Sequence, residues 1–189
     1  MENALLFRLA GASALFAIPA LLLAGLFLAL FFGGRGEAYG SLNDIFSALT
    51  LLLLILPAIA VYIGTHAAAG SWLAVVTWLA VAGMVMGAAG QVLLVLGVIN
   101  LQASFVTGGI GIVPVLAWAI SVAVLSLGLR QLSSPLGWLT IAVLVLALLL
   151  TLASSLHWEG VRPWLLVGGL ITALVAWLGT LGRDLLRLS

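Results

Sequence analysis

Residues 72–97 read WLAVVTWLAVAGMVMGAAGQVLLVLG, and this stretch decides the fold. It runs for 26 residues without a charged side chain. A helix needs about 20 apolar residues to cross the roughly 30 Å of hydrocarbon in a bilayer. Inside hydrocarbon the backbone must satisfy its own hydrogen bonds, which a helix does within one segment. The stretch therefore predicts a transmembrane α-helix.

Five further apolar runs of similar length flank this one. The segments that separate them are short and rich in glycine, proline or polar residues, so we expect no soluble domain. The prediction is an all-α, polytopic transmembrane helical bundle of about six helices with short loops, forming a single domain over residues 1–189. The predicted spans are approximately 9–32, 42–64, 72–97, 110–129, 136–156 and 164–181.

The composition supports a membrane protein and excludes several kinds of chemistry. Hydrophobic residues make up 65% of the chain and charged residues 6%, whereas soluble domains are nearer half and a quarter. The net charge of +1 is too small to indicate a basic surface that would bind nucleic acid. The chain has no cysteine and no lysine, which excludes thiolate metal sites, disulfides and Schiff-base cofactors. The composition indicates no particular cofactor.

The two histidines are predicted at opposite ends of the bundle. His66 follows the second predicted span and His157 follows the fifth. Two ligands to one haem iron must both lie within bonding distance of it. We therefore expect no two-histidine cofactor site, and no metal site.

The third predicted span carries a row of small residues on one face. Gly83 and Gly87 form a GxxxG pattern, and Gln91 continues it at the next i, i+4 position. Such a row is typical of close helix packing with an interhelical hydrogen bond. The same face, with Thr77, could also line a site for a neutral small molecule. A small-residue face around 168–169 makes the sixth helix its expected packing partner.

Asp44 is the acidic residue nearest the predicted hydrocarbon region. Ser41 precedes it by three residues, which is the spacing of a capping box at a helix start. Capping is one interpretation of this carboxyl group, since an acid favours the first turn of a helix. The alternative is a mouth-like binding site together with Arg35 or Glu37.

The densest polar cluster follows the fifth predicted span. His157, Glu159 and Arg162 lie within six residues of one another. The simpler interpretation is a solvated loop with a surface ion pair, which contributes under about 1 kcal/mol. The alternative is a small binding site at the membrane surface.

Arginine positions predict the orientation of the chain. Six spans place both termini on one side, together with Arg8, Arg130, Arg183 and Arg187, and leave two arginines, Arg35 and Arg162, on the other side. Because cytoplasmic segments carry an excess of basic residues, both termini are expected in the cytoplasm. Arginine without lysine, and abundant alanine, leucine and glycine, favour a bacterial source and hence the inner membrane.

Two stretches carry a resemblance, namely 43–49 with Pro57 and the run SPLGWL at 134–139. They resemble small uncharacterised bacterial membrane proteins with six helices. The resemblance implies the same number of helices and implies no activity.

These patterns favour a non-catalytic role. Near-absence of charge and short loops leave the side faces as the main surface, which predicts a hydrophobic subunit or scaffold that packs laterally against lipids and other membrane protein subunits. The alternative is a transporter or binder of a neutral or apolar small molecule, such as a lipid, quinone or pigment, at the face of Gln91 and Thr77. An enzyme acting on lipid would need the cluster at 157–162.

Overall fold

The structure, a computed structural model, describes residues 3–155 and 163–189. Within these residues it contains six long α-helices and no β-strand, so the predicted all-α bundle is confirmed. Each helix is long and apolar enough to cross a bilayer, and the protein is a multi-pass membrane protein. The helices are α1 (Ala4–Phe32), α2 (Glu37–Ala69), α3 (Ser71–Val95), α4 (Leu101–Ala123), α5 (Ser134–Ser155) and α6 (Pro163–Arg187).

The helices follow one another around a closed ring. Each packs against its neighbours in sequence, and α6 returns to pack against α1. Short connections make consecutive helices antiparallel, so both termini lie at one end of the bundle, called here the termini end. The opposite end, called the far end, carries the connections at 33–36 and 96–100. The link between α2 and α3 is Gly70 alone, with a φ of 77° that favours glycine.

Two helix crossings in the ring are close because both partners are glycines. A Cβ added to Gly83 on α3 would meet the carbonyl oxygen of Gly111 on α4. A Cβ added to Gly11 on α1 would lie 2.9 Å from the carbonyl oxygen of Gly182 on α6. Small residues at such crossings let two backbones approach and gain van der Waals contact.

The expected pairing of α3 with α6 is wrong. The glycines of α3 pack against α4 and α2, with a Cβ on Gly87 lying 3.0 Å from Leu51. On α6, a Cβ on Gly168 would meet open space, and one on Gly169 would reach only Leu146 of α5. The ring order decides the partner, because α3 and α6 lie on opposite sides of it.

Asp44 does not cap α2. The helix begins at Glu37, earlier than the predicted residue 42, after Gly36 with a φ of 115°. Ser41 and Asp44 therefore lie inside the helix, and no side chain caps its start. The carboxyl group of Asp44 is left free for another role, about two turns into α2.

Helix α4 begins at Leu101, about two and a half turns before the predicted start at residue 110. The side chain of Asn100 accepts a hydrogen bond from the backbone nitrogen of Ala103 at 2.8 Å and so caps the helix. The segment 100–109 reads as a polar loop in sequence but is helical, which extends the α3–α4 contact toward the far end. At its other end α4 continues into a π-helical segment, Val124–Gly128.

One buried carboxylate fixes the turn between α4 and α5 at the termini end. Asp184 on α6 is 7% exposed, and its Oδ2 accepts a hydrogen bond from the backbone nitrogen of Ser133 at 3.1 Å. Since α5 begins at Ser134, this negative group lies at the positive end of the α5 dipole. Arg183 lies 3.9 Å from the same carboxylate, but its own side chain is half exposed.

Candidate functional site

A groove of about 980 Å³ lies between α1, α2, α3 and α4 in the half of the bundle near the far end. Its volume is at the upper end of the range for small-molecule pockets. The closely packed crossing of Gly83 and Gly111 contributes to its lining. The groove therefore has the dimensions of a site for a lipid-sized molecule.

One wall of the groove is polar, and most of its polar groups come from α2. Asn43, Asp44, Ser47 and Thr50 all line it, and their spacing of three and four residues places them on one face of the helix. The side-chain nitrogen of Asn43 donates to Oδ1 of Asp44 at 3.1 Å. Within the described residues the second carboxylate oxygen makes no ion pair or hydrogen bond, so it can accept from a ligand.

Gln91 lines the groove from α3. Its Oε1 atom is buried and has no hydrogen-bond partner within the part of the chain that the structure describes. A buried polar atom left unpaired costs about 1–3 kcal/mol. Gly90 beside it is crowded, since a Cβ there would lie 2.5 Å from Oγ1 of Thr107 on α4. Close packing of α3 on α4 thus holds the amide of Gln91 at the groove.

The remaining walls belong to α1 and α4 and are apolar except for Ser104 on α4. Leu21, Leu28 and Phe31 line the groove from α1, and Ile112 and Val115 line it from α4. These walls suit an apolar ligand body, because inside the bilayer such a body gains van der Waals packing against apolar side chains. The groove therefore combines a polar strip with apolar walls, and this combination is complementary to an amphiphilic ligand.

Two glycines of α4 leave open space in this wall. Gly108 and Gly109 line the groove, and a Cβ added to either would meet nothing within 4 Å. Neither glycine is therefore required by packing within this chain. Their small size instead enlarges the groove.

The structure brings together half of the residues predicted as a site. Gln91, Gly83, Gly87 and Asp44 all line the groove. Thr77 does not line it and is fully buried toward the termini end. The predicted cluster of His157, Glu159 and Arg162 lies outside the described residues.

Sequence reasoning missed four polar lining residues, Asn43, Ser47, Thr50 and Ser104. The signal for the first three is present, because positions 43, 47 and 50 form a polar i, i+4, i+7 row in an otherwise apolar span. Ser104 lies in the segment 100–109, whose polar and glycine residues predict a loop where the structure has helix.

Within residues 3–155 and 163–189, no three side chains of the His, Cys, Asp or Glu type come together as metal ligands. His66 lies near the termini end, where its Nδ1 is 2.9 Å from the carbonyl oxygen of Ile63. No protein-family model matches the sequence, and comparison with curated proteins and with solved structures finds no similar protein.

Proposed function

We propose that this membrane protein is a non-catalytic binder of a neutral, mostly apolar small molecule of the bilayer, held in the groove between α1 and α4. The observation that carries the proposal is the polar strip of α2 and Gln91 facing the apolar walls of α1 and α4 within one groove. The strip would hold a small polar headgroup, and the apolar walls would hold a chain or ring system.

Charge supports a neutral ligand over an anionic one. Among the described residues that line the groove, Asp44 carries the only ionisable group. A phosphate or carboxylate would face this acid with no arginine beside it, and an unpaired charge in an apolar site is costly. A ligand headgroup with hydroxyl or amide donors fits instead, because the carboxylate oxygens of Asp44 and the Oε1 atom of Gln91 accept hydrogen bonds.

Filling the groove tests the proposal. Gly108→Phe adds a ring into the groove where no protein atom lies within 4 Å of the Cβ position. Gly168→Phe is the matched control, because its Cβ also meets open space but the residue lies outside the groove. We expect Gly108→Phe to weaken binding of a diazirine-bearing diacylglycerol roughly tenfold, about 1.4 kcal/mol, measured by photolabelling of α2 to α4 in detergent micelles.

The control variant should label like the wild-type protein, and a phosphatidylglycerol with the same chain should label the groove weakly. Equal labelling of Gly108→Phe and Gly168→Phe would place the lipid contacts on the outer surface and refute the groove. Stronger labelling by phosphatidylglycerol would contradict the neutral headgroup.

A second candidate is the hydrophobic subunit of a membrane complex. Val106, Ile110 and Val113 form an exposed apolar stripe on α4 outside the groove, and each is more than half exposed. Their i, i+4, i+7 spacing suits contact with another transmembrane helix. Native mass spectrometry after mild extraction separates the candidates, because a lipid adduct supports the binder and a second polypeptide supports the subunit.

We further propose a bacterial inner-membrane location with both termini in the cytoplasm. Among the described arginines, Arg8, Arg130, Arg183 and Arg187 belong to the termini end and Arg35 belongs to the far end. The positive-inside rule supports this orientation.

Single cysteines test the orientation against a background with none. In intact spheroplasts, a membrane-impermeant maleimide should label Ala38→Cys at the far end and spare Ser189→Cys at the termini end. Both positions are exposed. Lysis should then allow labelling of Ser189→Cys, and the reverse pattern would invert the proposed orientation.

A further inference from the structure

Three of the six arginines of the chain lie at the termini end, on the two helices that close the ring. Arg8 is in the first two turns of α1, and Arg183 and Arg187 are in the last two turns of α6. All three side chains are exposed. Arg183 lies 3.9 Å from Asp184, whereas Arg8 and Arg187 make no ion pair within the described residues. The net charge of +1 therefore conceals a local concentration of positive charge.

The close contact between α1 and α6 puts these arginines at similar heights. A Cβ on Gly11 of α1 would lie 2.9 Å from the carbonyl oxygen of Gly182 and 2.6 Å from Cγ of Leu186 on α6. Arg8 comes three residues before Gly11, about 4.5 Å nearer the termini end, and Arg187 directly follows Leu186. The axes of packed helices are about 8–10 Å apart, and small residues favour the shorter distances. Arg8 and Arg187 are therefore neighbours across the boundary between α1 and α6, called here the α1–α6 seam.

The arginines also lie on one side of the α1–α6 seam. Viewed from the termini end, α1 recedes and α6 approaches, so successive residues turn by about 100° clockwise on α1 and anticlockwise on α6. Arg8 lies about 60° clockwise of the contacting glycine of α1, and Arg183 lies about 100° anticlockwise of that of α6, which is the same side. Arg187, one turn after Arg183, shares its face. Ala10 and Leu181, each 0% exposed, turn the opposite way into the core. The arginines therefore lie on the outer side of the seam.

Apolar side chains continue this outer side toward the middle of the bundle. Leu15 and Leu22 follow Arg8 along α1 at intervals of seven residues, which keeps them on its face. They are 39% and 47% exposed. On α6, Ala176 and Thr172 are small and exposed, and the hydroxyl group of Thr172 donates within its own helix. The seam is therefore an apolar furrow that ends at the arginines.

The lengths of the two helices place the arginines at the depth of lipid headgroups. Helices α1 and α6 have 29 and 25 residues, and so extend over about 44 and 38 Å. Both lengths exceed the roughly 30 Å of hydrocarbon in a bilayer. The first turns of α1 and the last turns of α6 therefore lie among the headgroups, while the furrow lies in hydrocarbon.

We propose that the α1–α6 seam binds an anionic phospholipid, with its phosphate held by Arg8 and Arg187 and an acyl chain in the furrow. A guanidinium group binds phosphate oxygens through paired, charge-assisted hydrogen bonds, and basic residues at a membrane surface attract anionic lipids. The nearest described acid, Asp184, offers little competition, because it is 7% exposed and accepts a hydrogen bond from Ser133.

This site is separate from the groove and selects the opposite kind of headgroup. None of the three arginines lines the groove, whose one ionisable group among the described residues is an acid. The groove also lies near the far end, whereas the arginines lie at the termini end. The anionic-lipid site therefore does not depend on the proposed function.

Photolabelling of the whole protein in detergent micelles tests the site. The probes are phosphatidylglycerol and phosphatidylcholine with the same diazirine-bearing chain, because only the first has a net negative charge. We expect phosphatidylglycerol to label α6 and the first half of α1 more strongly. The double variant Arg8→Gln, Arg187→Gln should weaken that labelling roughly tenfold. The matched control, Arg35→Gln with Arg130→Gln, removes the same charge from exposed positions away from the seam and should leave labelling unchanged.

Equal losses in the two double variants would overturn the proposal, because net charge rather than position would then govern binding. Equal labelling by the two lipids would overturn it as well. Arg8→Lys with Arg187→Lys should keep more labelling than the glutamine variant, since lysine retains the charge, and equal loss in both would exclude a role for that charge. Inorganic phosphate, compared with chloride at the same ionic strength, should not release the lipid. Release would show that the arginines take free phosphate instead.

Discussion

Gly83→Leu should prevent α3 and α4 from reaching their observed separation and should leave little folded protein. A Cβ at this position already meets the carbonyl oxygen of Gly111 and lies 2.9 Å from Cγ of Pro114. Neither a backbone carbonyl nor a proline ring can move aside as a flexible side chain does. Overpacking in cores costs about 1–3 kcal/mol, and we expect the upper end of this range or more. Unfolding by increasing SDS in mixed micelles measures the loss.

A smaller substitution separates the clash from side-chain bulk. Gly83→Ala should also destabilise the protein, although alanine favours a helix over glycine by about 1 kcal/mol. Gly168→Ala, where the added Cβ meets open space, should be neutral or stabilising. A Gly83→Ala protein that unfolds at the same SDS concentration as Gly168→Ala would contradict the close crossing.

Asp184→Leu should destabilise the protein by about 2 kcal/mol, since hydrogen bonds to charged groups contribute about 1.5–3 kcal/mol. The substitution removes the acceptor of the Ser133 backbone N–H and the negative group at the start of α5. The lost bond joins residues 51 positions apart, so the turn before α5 should loosen relative to α6. The same SDS titration measures this loss.

Arg183→Ala is the control that separates the ion pair between Arg183 and Asp184 from the hydrogen bond of Asp184 to Ser133. Arg183 is half exposed and lies 3.9 Å from the carboxylate, so its removal should change stability by less than about 0.5 kcal/mol. Asp184→Asn should fall between the two, because an amide oxygen can still accept from Ser133. Equal stability of Asp184→Leu and Arg183→Ala would exclude a contribution from the capping bond.

The helix count follows from the sequence because the bilayer sets a minimum length for each apolar run. Helix starts follow less well. Ser41 and Asp44 have the spacing of a capping box, but Gly36 already starts the helix earlier. The segment 100–109 contains two glycines and two hydroxyl residues after Ala103, and the cap formed by Asn100 outweighs them. Local sequence patterns therefore do not predict at which of two possible residues a helix begins.

Helix partners and site positions depend on information that a single span does not carry. Small-residue faces on α3, α4 and α6 look alike in sequence, and only their positions around the ring pair Gly83 with Gly111. Thr77 was grouped with Gln91, from which it is separated by 14 residues. That spacing puts both on similar faces of α3 but about 21 Å apart along its axis. The sequence therefore indicates the face of α3 on which both residues lie. It does not indicate how deep each residue lies along the axis of the bundle.

The length of α2 has a consequence for how a ligand would reach the groove. Its 33 residues extend over about 50 Å, whereas a bilayer with its headgroup regions measures about 40–45 Å. Even when tilted, α2 therefore reaches the headgroup region, and Asp44 lies in its first quarter. A lipid moving sideways from that leaflet would meet the polar strip at its own headgroup depth and would keep its chain in hydrocarbon throughout. In a bilayer, a diazirine-bearing lipid confined to that leaflet should then label the groove, and the same lipid confined to the other leaflet should not.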